Sequence, residues 1–90
     1  MSNGRINKQK LLTRVRRIRG QLDGIERMLA DDESTFKILQ TIAASRGALS
    51  GLSAELIESH IESIAAPNAK QADRQRACDE LRDIVQAYFR

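Results

Sequence analysis

Three basic side chains share one flank of the first helical segment, where their charges could bind phosphate. Lys10, Arg14 and Arg17 fall within a narrow arc when successive residues are placed about 100° apart around a helix. No acidic residue lies on this flank, whereas the opposite flank carries acids at helical spacing from its arginines, which is typical of a self-paired solvated face. A basic stripe with no acidic residue on its flank predicts contact with nucleic-acid phosphates. The alternative is a solvated helix whose charges serve only solubility.

The basic charge is concentrated at one end of the chain. Residues 1–27 hold eight basic and two acidic side chains, a net charge of +6, against −3 for the remaining residues. This asymmetry predicts a polyanionic partner. The three aromatic residues lie outside the basic stripe, which argues against binding of single strands by base stacking. Double-stranded DNA is the predicted partner, bound by shape as much as by base contacts, because the pattern lacks a helix-turn-helix.

Few other residues could do chemistry. No catalytic triad, phosphate loop or zinc motif occurs, so we predict neither an enzyme nor a bound cofactor. His60 shares a helical face with apolar residues and is predicted either to pack with a hydrogen-bond partner or to sense an effector. Cys78, the single cysteine, excludes an internal disulfide and is predicted to pack as a small hydrophobe.

Three helical segments must position these residues. Apolar residues recur at spacings of four and three from Leu11 to Leu29, which is a helical pattern and not a strand pattern. An acidic cluster followed by the capping residue Ser34, and later the only proline, Pro67, mark the two breaks. We therefore predict one all-α domain over residues 1–90, with helices over about 6–31, 35–65 and 71–89.

Two pairs of glycines occur inside these predicted helices, Gly20 with Gly24 and Gly47 with Gly51. Each glycine costs a helix about 1 kcal/mol relative to alanine. Their spacing of one helical turn predicts close approach of a neighbouring helix at these positions. The alternative is local flexibility.

The second predicted helix is too long for the rest of one chain to cover. At a rise of about 1.5 Å per residue, some 30 residues span about 45 Å. Part of its apolar face would remain exposed to water. We therefore expect identical chains to associate, most often with two-fold symmetry. We predict an antiparallel helical bundle that is at least a dimer, in which two-fold symmetry duplicates the basic stripe.

The first residues contain no apolar signal core. No apolar run approaches the roughly 18 residues that a membrane span requires. We therefore predict a cytoplasmic protein with no membrane partner.

Three stretches closely resemble the CsoR/RcnR/FrmR family of bacterial repressors. They are LLTRVRRIRGQLDGIER at residues 11–27, ILQTIAASRGAL at 38–49 and ELIESHI at 55–61. The match runs in register over nearly the whole chain and is closest to the formaldehyde-responsive FrmR branch. It implies a three-helix protomer, an antiparallel four-helix-bundle dimer and a flat tetramer that represses genes by binding operator DNA. It also implies DNA contacts at Arg14, Arg17 and Arg46, with Lys10 as an addition.

The same resemblance implies an effector site shared between two protomers. Where the family has a cysteine this sequence has Thr35, the family's histidine is retained as His60, and a further ligand position holds Ile64. A hydroxyl is a poor substitute for a thiolate, so no metal site is expected and His60 is the only candidate ligand. The amine of Ser2, after removal of Met1, could still react with an aldehyde. The inducer stays open between a non-thiol ligand, an aldehyde and none.

Two other functions stay open from the sequence. A helical enzyme of the chorismate-mutase type has a similar length, and residues 19–27 loosely resemble its first helix. Such an enzyme needs inward arginines around a pocket for a dianionic substrate. A helical adaptor would show no salt-dependent DNA binding. An outward basic stripe favours the repressor over both.

Overall fold

The computed structural model describes residues 7–88, and three α-helices account for most of them: α1 (Lys8–Ala30), α2 (Thr35–Ala65) and α3 (Gln71–Tyr88). No strand occurs within residues 7–88, so the predicted all-α class is confirmed. α2 has the predicted bounds, whereas α1 lies inside its predicted range. The predicted helix ends at 6 and 89 fall outside the described residues. None of the three helices is both long and apolar enough to cross a bilayer.

Side chains cap the first turns of α1 and α2. Asn7 Oδ1 accepts a hydrogen bond from the Lys10 backbone N–H at 3.1 Å. Ser34 Oγ accepts one from the Lys37 backbone N–H at 3.2 Å. Each cap satisfies one of the backbone N–H groups that the start of a helix leaves without a partner. The capping role predicted for Ser34 is confirmed, and it explains why α2 begins at the next residue.

α1 ends where Asp32 adopts a left-handed backbone conformation, with φ of 52°. The Glu33 N–H donates to the Met28 carbonyl at 2.9 Å, and the Asp32 N–H donates to the Leu29 carbonyl at 3.3 Å. This pair of hydrogen bonds is a Schellman motif. Aspartate enters the left-handed region more readily than most residues, so the acidic cluster that was predicted to interrupt the pattern also turns the chain.

α2 ends at Ala65, and Arg74 of α3 reaches back to its last turn. Arg74 Nε donates to the Ile64 carbonyl and Nη2 donates to the Ala66 carbonyl, both at 2.9 Å. The last carbonyls of a helix lack partners within it and carry partial negative charge, so a guanidinium satisfies them well. Pro67 follows at once and has no N–H with which to continue the helix.

The described chain divides into two compact units. The first unit is Asn7–Ala54, in which α1 and the first part of α2 run antiparallel. Arg14, near the start of α1, lies against Gly51, whereas Met28, near its end, lines a pocket together with Lys37. α1 and the first part of α2 therefore pack antiparallel in this unit, whereas the antiparallel bundle predicted between copies of the chain stays a prediction.

The second unit comprises residues 55–88, and in it the last part of α2 runs antiparallel to α3. His60 contacts Ala77, and Ile64, one turn later in α2, contacts Arg74, which lies earlier in α3. These two contacts connect the helices on either side of the turn that contains Pro67.

Packing within one chain buries few side chains. Among the described residues, Ile18 and Ser45 are the buried ones, and Ser45 Oγ is satisfied by the Thr41 carbonyl at 2.9 Å. Large apolar side chains stay exposed, including Leu22 at 54% and Leu29 at 60%. An exposed apolar surface of this kind is typical of a face that binds a partner.

Candidate DNA-binding surface and sensing positions

Lys10 and Arg17 on α1 and Arg46 on α2 are exposed basic side chains in the first unit. None of the three forms an ion pair with another residue of 7–88. Their charges are therefore available to a phosphate without first breaking an internal pair. Together with Arg14 they are the four positions predicted to contact DNA, and all four lie in the same compact unit.

Arg14 is placed differently from its neighbours in the predicted stripe. It is half-buried, and its guanidinium lies across Gly51 of α2. It is also engaged in a further non-covalent interaction. Arg14 is therefore less exposed than a wheel of α1 alone indicates, because such a wheel ignores the neighbouring helix that a long side chain can reach.

The start of α1 is a concentrated region of positive potential. Its first turn contains Lys8 and Lys10 and no acidic residue. A helix N-terminus itself carries roughly +0.5 elementary charge, so lysines at this end cost the helix stability. A bound anion would offset that cost.

A pocket of about 400 Å³ opens between α1 and α2 within the first unit. Lys37 is the charged residue of its lining, which is completed by Gln21, Met28, Gln40, Thr41 and Ala44. Gln21 Oε1 is buried and has no hydrogen-bond partner among the described residues. A dianion-binding enzyme needs arginines around its substrate, and this pocket has none in its lining, so it does not support the helical-enzyme alternative.

His60 lies in the second unit and connects α2 to α3. Its Nε2 is 2.8 Å from the Ala77 carbonyl oxygen and 3.6 Å from Glu80 Oε1, and the side chain is 25% exposed. A carbonyl oxygen only accepts hydrogen bonds, so this contact assigns the proton to Nε2 and, in the neutral ring, the lone pair to Nδ1. The packing alternative for His60 thus has a definite partner, the Ala77 carbonyl.

The remaining sensing positions lie in different parts of the chain. Thr35 is the exposed first residue of α2 and belongs to the first unit, whereas His60 belongs to the second. Ser2 lies outside the described residues. Among residues 7–88, no group of three or more His, Cys, Asp or Glu side chains could hold a metal ion. Thr35 offers a hydroxyl at the position where the resemblance implies a thiolate, and a hydroxyl is a poor ligand for the metals that thiolates bind.

The spacing of the four glycines predicts a close helix contact at each of them, but within residues 7–88 only Gly51 has one. A Cβ added to Gly20 or Gly47 meets nothing within 4 Å, and one added to Gly24 meets only Arg27 of its own helix at 3.9 Å. Within residues 7–88 of one chain, no other helix closely approaches these three glycines, so the close helix approach predicted there stays a prediction. Gly51 alone of the four lies against another helix, through the Arg14 side chain, and no sequence period distinguishes it from Gly47.

Known proteins resemble this chain over its full length. Residues 7–87 match the model of a family described as metal-sensitive transcriptional repressors. An uncharacterized protein in the bioA 5′ region of Serratia marcescens is 38% identical over 91 residues, and the transcriptional repressor RcnR of Salmonella paratyphi B is 32% identical over 90 residues, with 100% of both chains covered in each case. A solved variant of the Formaldehyde-Responsive Regulator FrmR from Salmonella enterica serovar Typhimurium is 40% identical, with a TM-score of 0.83 over 91% of this chain and 93% of that one.

The chain belongs to the family of metal-sensitive transcriptional repressors. Within that family it is a transcriptional repressor of the RcnR/FrmR type, and its three helices form the family's all-α fold. The resemblance expected from residues 11–27, 38–49 and 55–61 is confirmed. The family consists of DNA-binding repressors and not of enzymes, so the enzyme and adaptor alternatives receive no support.

Proposed function

We propose that this chain is a homo-oligomeric repressor that binds operator DNA through a basic surface, defined as Lys10, Arg14, Arg17 and Arg46. One observation carries the proposal: Lys10, Arg17 and Arg46 are exposed in one unit and form no ion pair with another residue of 7–88. Cations that approach duplex phosphates release condensed counterions, which favours binding. Contacts of this kind position the protein on the backbone, while the shape of the operator supplies specificity.

A second copy of the chain is the proposed occupant of the exposed apolar face. α1 and α2 each have a pair of exposed apolar residues seven positions apart: Leu22 and Leu29 on α1, and Ile42 and Leu49 on α2. That spacing joins helices in bundles, which supports an antiparallel four-helix-bundle dimer and a flat tetramer of two dimers. Each added protomer repeats the basic surface and so increases the number of phosphates bound in one complex.

The proposed inducer is a formaldehyde-like aldehyde, with Ser2, Thr35 and His60 as the sensing positions. The FrmR relative is formaldehyde-responsive by name, and Thr35 supplies no thiolate for a metal. The N-terminal amine of Ser2 would attack the carbonyl carbon of formaldehyde, and loss of water would leave an imine on that nitrogen. An adduct that favours an arrangement with lower affinity for DNA would relieve repression.

A repressor of this type meets its DNA in the bacterial cytoplasm. There we expect the chain to act as one domain over residues 1–90, with no catalytic activity and no cofactor.

The DNA surface is tested by removing its charges one at a time. Lys10→Ala and Arg17→Ala should each weaken binding to a fluorescent mixed-sequence duplex and lower the slope of log affinity against log salt by about 1 per lost phosphate contact. Arg82→Ala on α3 is the matched control, because it removes the same charge from an exposed position outside the basic surface. Equal effects from all three variants would mean that net charge, and not this surface, drives binding.

The inducer is tested on the protein–DNA complex. Formaldehyde should release the duplex, and blocking the N-terminal amine by acetylation should abolish that release. Nickel, cobalt and copper should not release it at concentrations equal to that of the protomer, and His60→Ala should change the formaldehyde response. Release by one of these metals at that concentration would overturn the aldehyde proposal while leaving the DNA surface intact.

A further inference from the structure

Gly51 has a neighbour that the other helical glycines lack. A Cβ added at this position would overlap Nη1 of Arg14 and would lie 3.3 Å from Cζ and 3.9 Å from Nη2. Gly47, one turn earlier in the same helix, has nothing within 4 Å of an added Cβ. The space above Gly51 is therefore a notch, which the Arg14 guanidinium occupies.

The notch holds one edge of the guanidinium. Nη1 lies deepest over Gly51, and Nη2 lies farther out, so the planar group enters the notch edge first. Arg14 is half-buried, whereas Arg17, on the next turn of α1, is exposed. Of the two arginines on the predicted stripe, Arg14 is thus the one whose direction is set by a second helix.

We propose that Gly51 is a positioning residue for Arg14, and that the absence of a side chain there orients the guanidinium toward bound DNA. This inference rests on the proposed function, in which Arg14 contacts a phosphate. A long arginine side chain loses rotamer freedom when it is immobilised in a complex, and holding it beforehand removes part of that cost. The guanidinium offers five N–H donors, so it can contact more than one partner at a time.

Gly51→Ala closes the notch without straining the helix. The atoms in the way belong to the flexible end of a side chain, so Arg14 moves and the backbone of α2 stays in place. Alanine also has a higher helix propensity than glycine, so the melting temperature of this variant should be no lower than that of the wild type. A loss of DNA binding in a protein of unchanged melting temperature and unchanged oligomeric state would therefore not be a folding defect.

The decisive experiment is a double-mutant cycle with Arg14→Ala, measured by titration of a fluorescent mixed-sequence duplex over a range of salt concentrations. With Arg14 present, Gly51→Ala should weaken binding about threefold or more and should lower the salt slope. With Arg14→Ala in place, Gly51→Ala should have no effect. Gly47→Ala, the matched control with open space above it, should leave binding unchanged in both backgrounds.

A second variant tests the same idea without altering Gly51. Arg14→Lys keeps the charge but has no planar group to fill the notch, so it should weaken binding, and adding Gly51→Ala to it should cause little further loss.

The outcomes separate this inference from the proposed function. If Arg14→Ala and Arg17→Ala leave binding unchanged, the DNA surface itself is wrong and the positioning role falls with it. If those variants weaken binding but Gly51→Ala does not, or if Gly51→Ala acts equally with and without Arg14, only the positioning role is overturned. Tighter binding by Gly51→Ala would overturn it as well, because the notch would then hold Arg14 away from DNA.

Discussion

Arg74→Ala should destabilise the turn between α2 and α3. The guanidinium donates two hydrogen bonds of 2.9 Å, and the residues that accept them, Ile64 and Ala66, are half-buried. A hydrogen bond that involves a charged group contributes about 1.5–3 kcal/mol. Because Arg74 is only half-buried, solvent screening reduces this to about 1 kcal/mol for each bond. We therefore expect the free energy of unfolding to fall by about 2 kcal/mol.

Arg76→Ala is the matched control on the same helix. Arg76 pairs with Asp73 at 2.6 Å, but its side chain is 68% exposed. Exposed pairs at this helical spacing contribute about 0.2–0.5 kcal/mol, so the loss should be several times smaller than for Arg74→Ala. Arg74→Lys should fall between the two, because a lysine keeps the charge but lacks the fork that contacts both carbonyls.

Thermal unfolding, followed by circular dichroism, provides the measurement. All variants must be compared at one protomer concentration, because association shifts apparent stability. For a domain of this size, a loss of 2 kcal/mol lowers the melting temperature by about 10 °C. Equal losses for Arg74→Ala and Arg76→Ala would refute the reasoning, since lost charge would then account for both.

Four further perturbations test other parts of the structure. Asp32→Gly should raise the unfolding free energy by about 0.5 kcal/mol, because glycine adopts the left-handed conformation without steric cost; a lower melting temperature would contradict this. Ser34→Ala should lower the free energy of unfolding by about 1 kcal/mol, because the Lys37 N–H loses its cap. An unchanged urea midpoint would argue against that cap. His60→Ala should cost about 1 kcal/mol through the lost contact with Ala77, yet leave DNA binding in a gel shift unchanged without inducer. Dilution of the wild type should lower its melting temperature because separated copies expose their leucines, whereas melting independent of concentration would indicate a stable monomer.

The sequence alone predicts the positions of the helices and the family. A 3.6-residue period, the cap at Ser34 and the break at Pro67 are local signals, because each depends on residues within one or two turns. They predict the bounds of α2 correctly and those of α1 to within about two residues, the usual spread at helix ends. The charge asymmetry and the stretch at residues 11–27 likewise indicate a DNA-binding repressor without any knowledge of tertiary contacts.

The sequence alone does not predict which individual side chains contact one another. Gly47 and Gly51 are equivalent in any helical period, yet only Gly51 lies opposite Arg14. Arg74 and Arg76 are two charges on one amphipathic helix, but only Arg74 reaches the end of α2. His60 could not be given a partner until α3 placed the Ala77 carbonyl beside it. Local sequence determines which residues become helical. The register between antiparallel helices instead depends on the packing of many side chains at once, and this register decides which side chains come into contact.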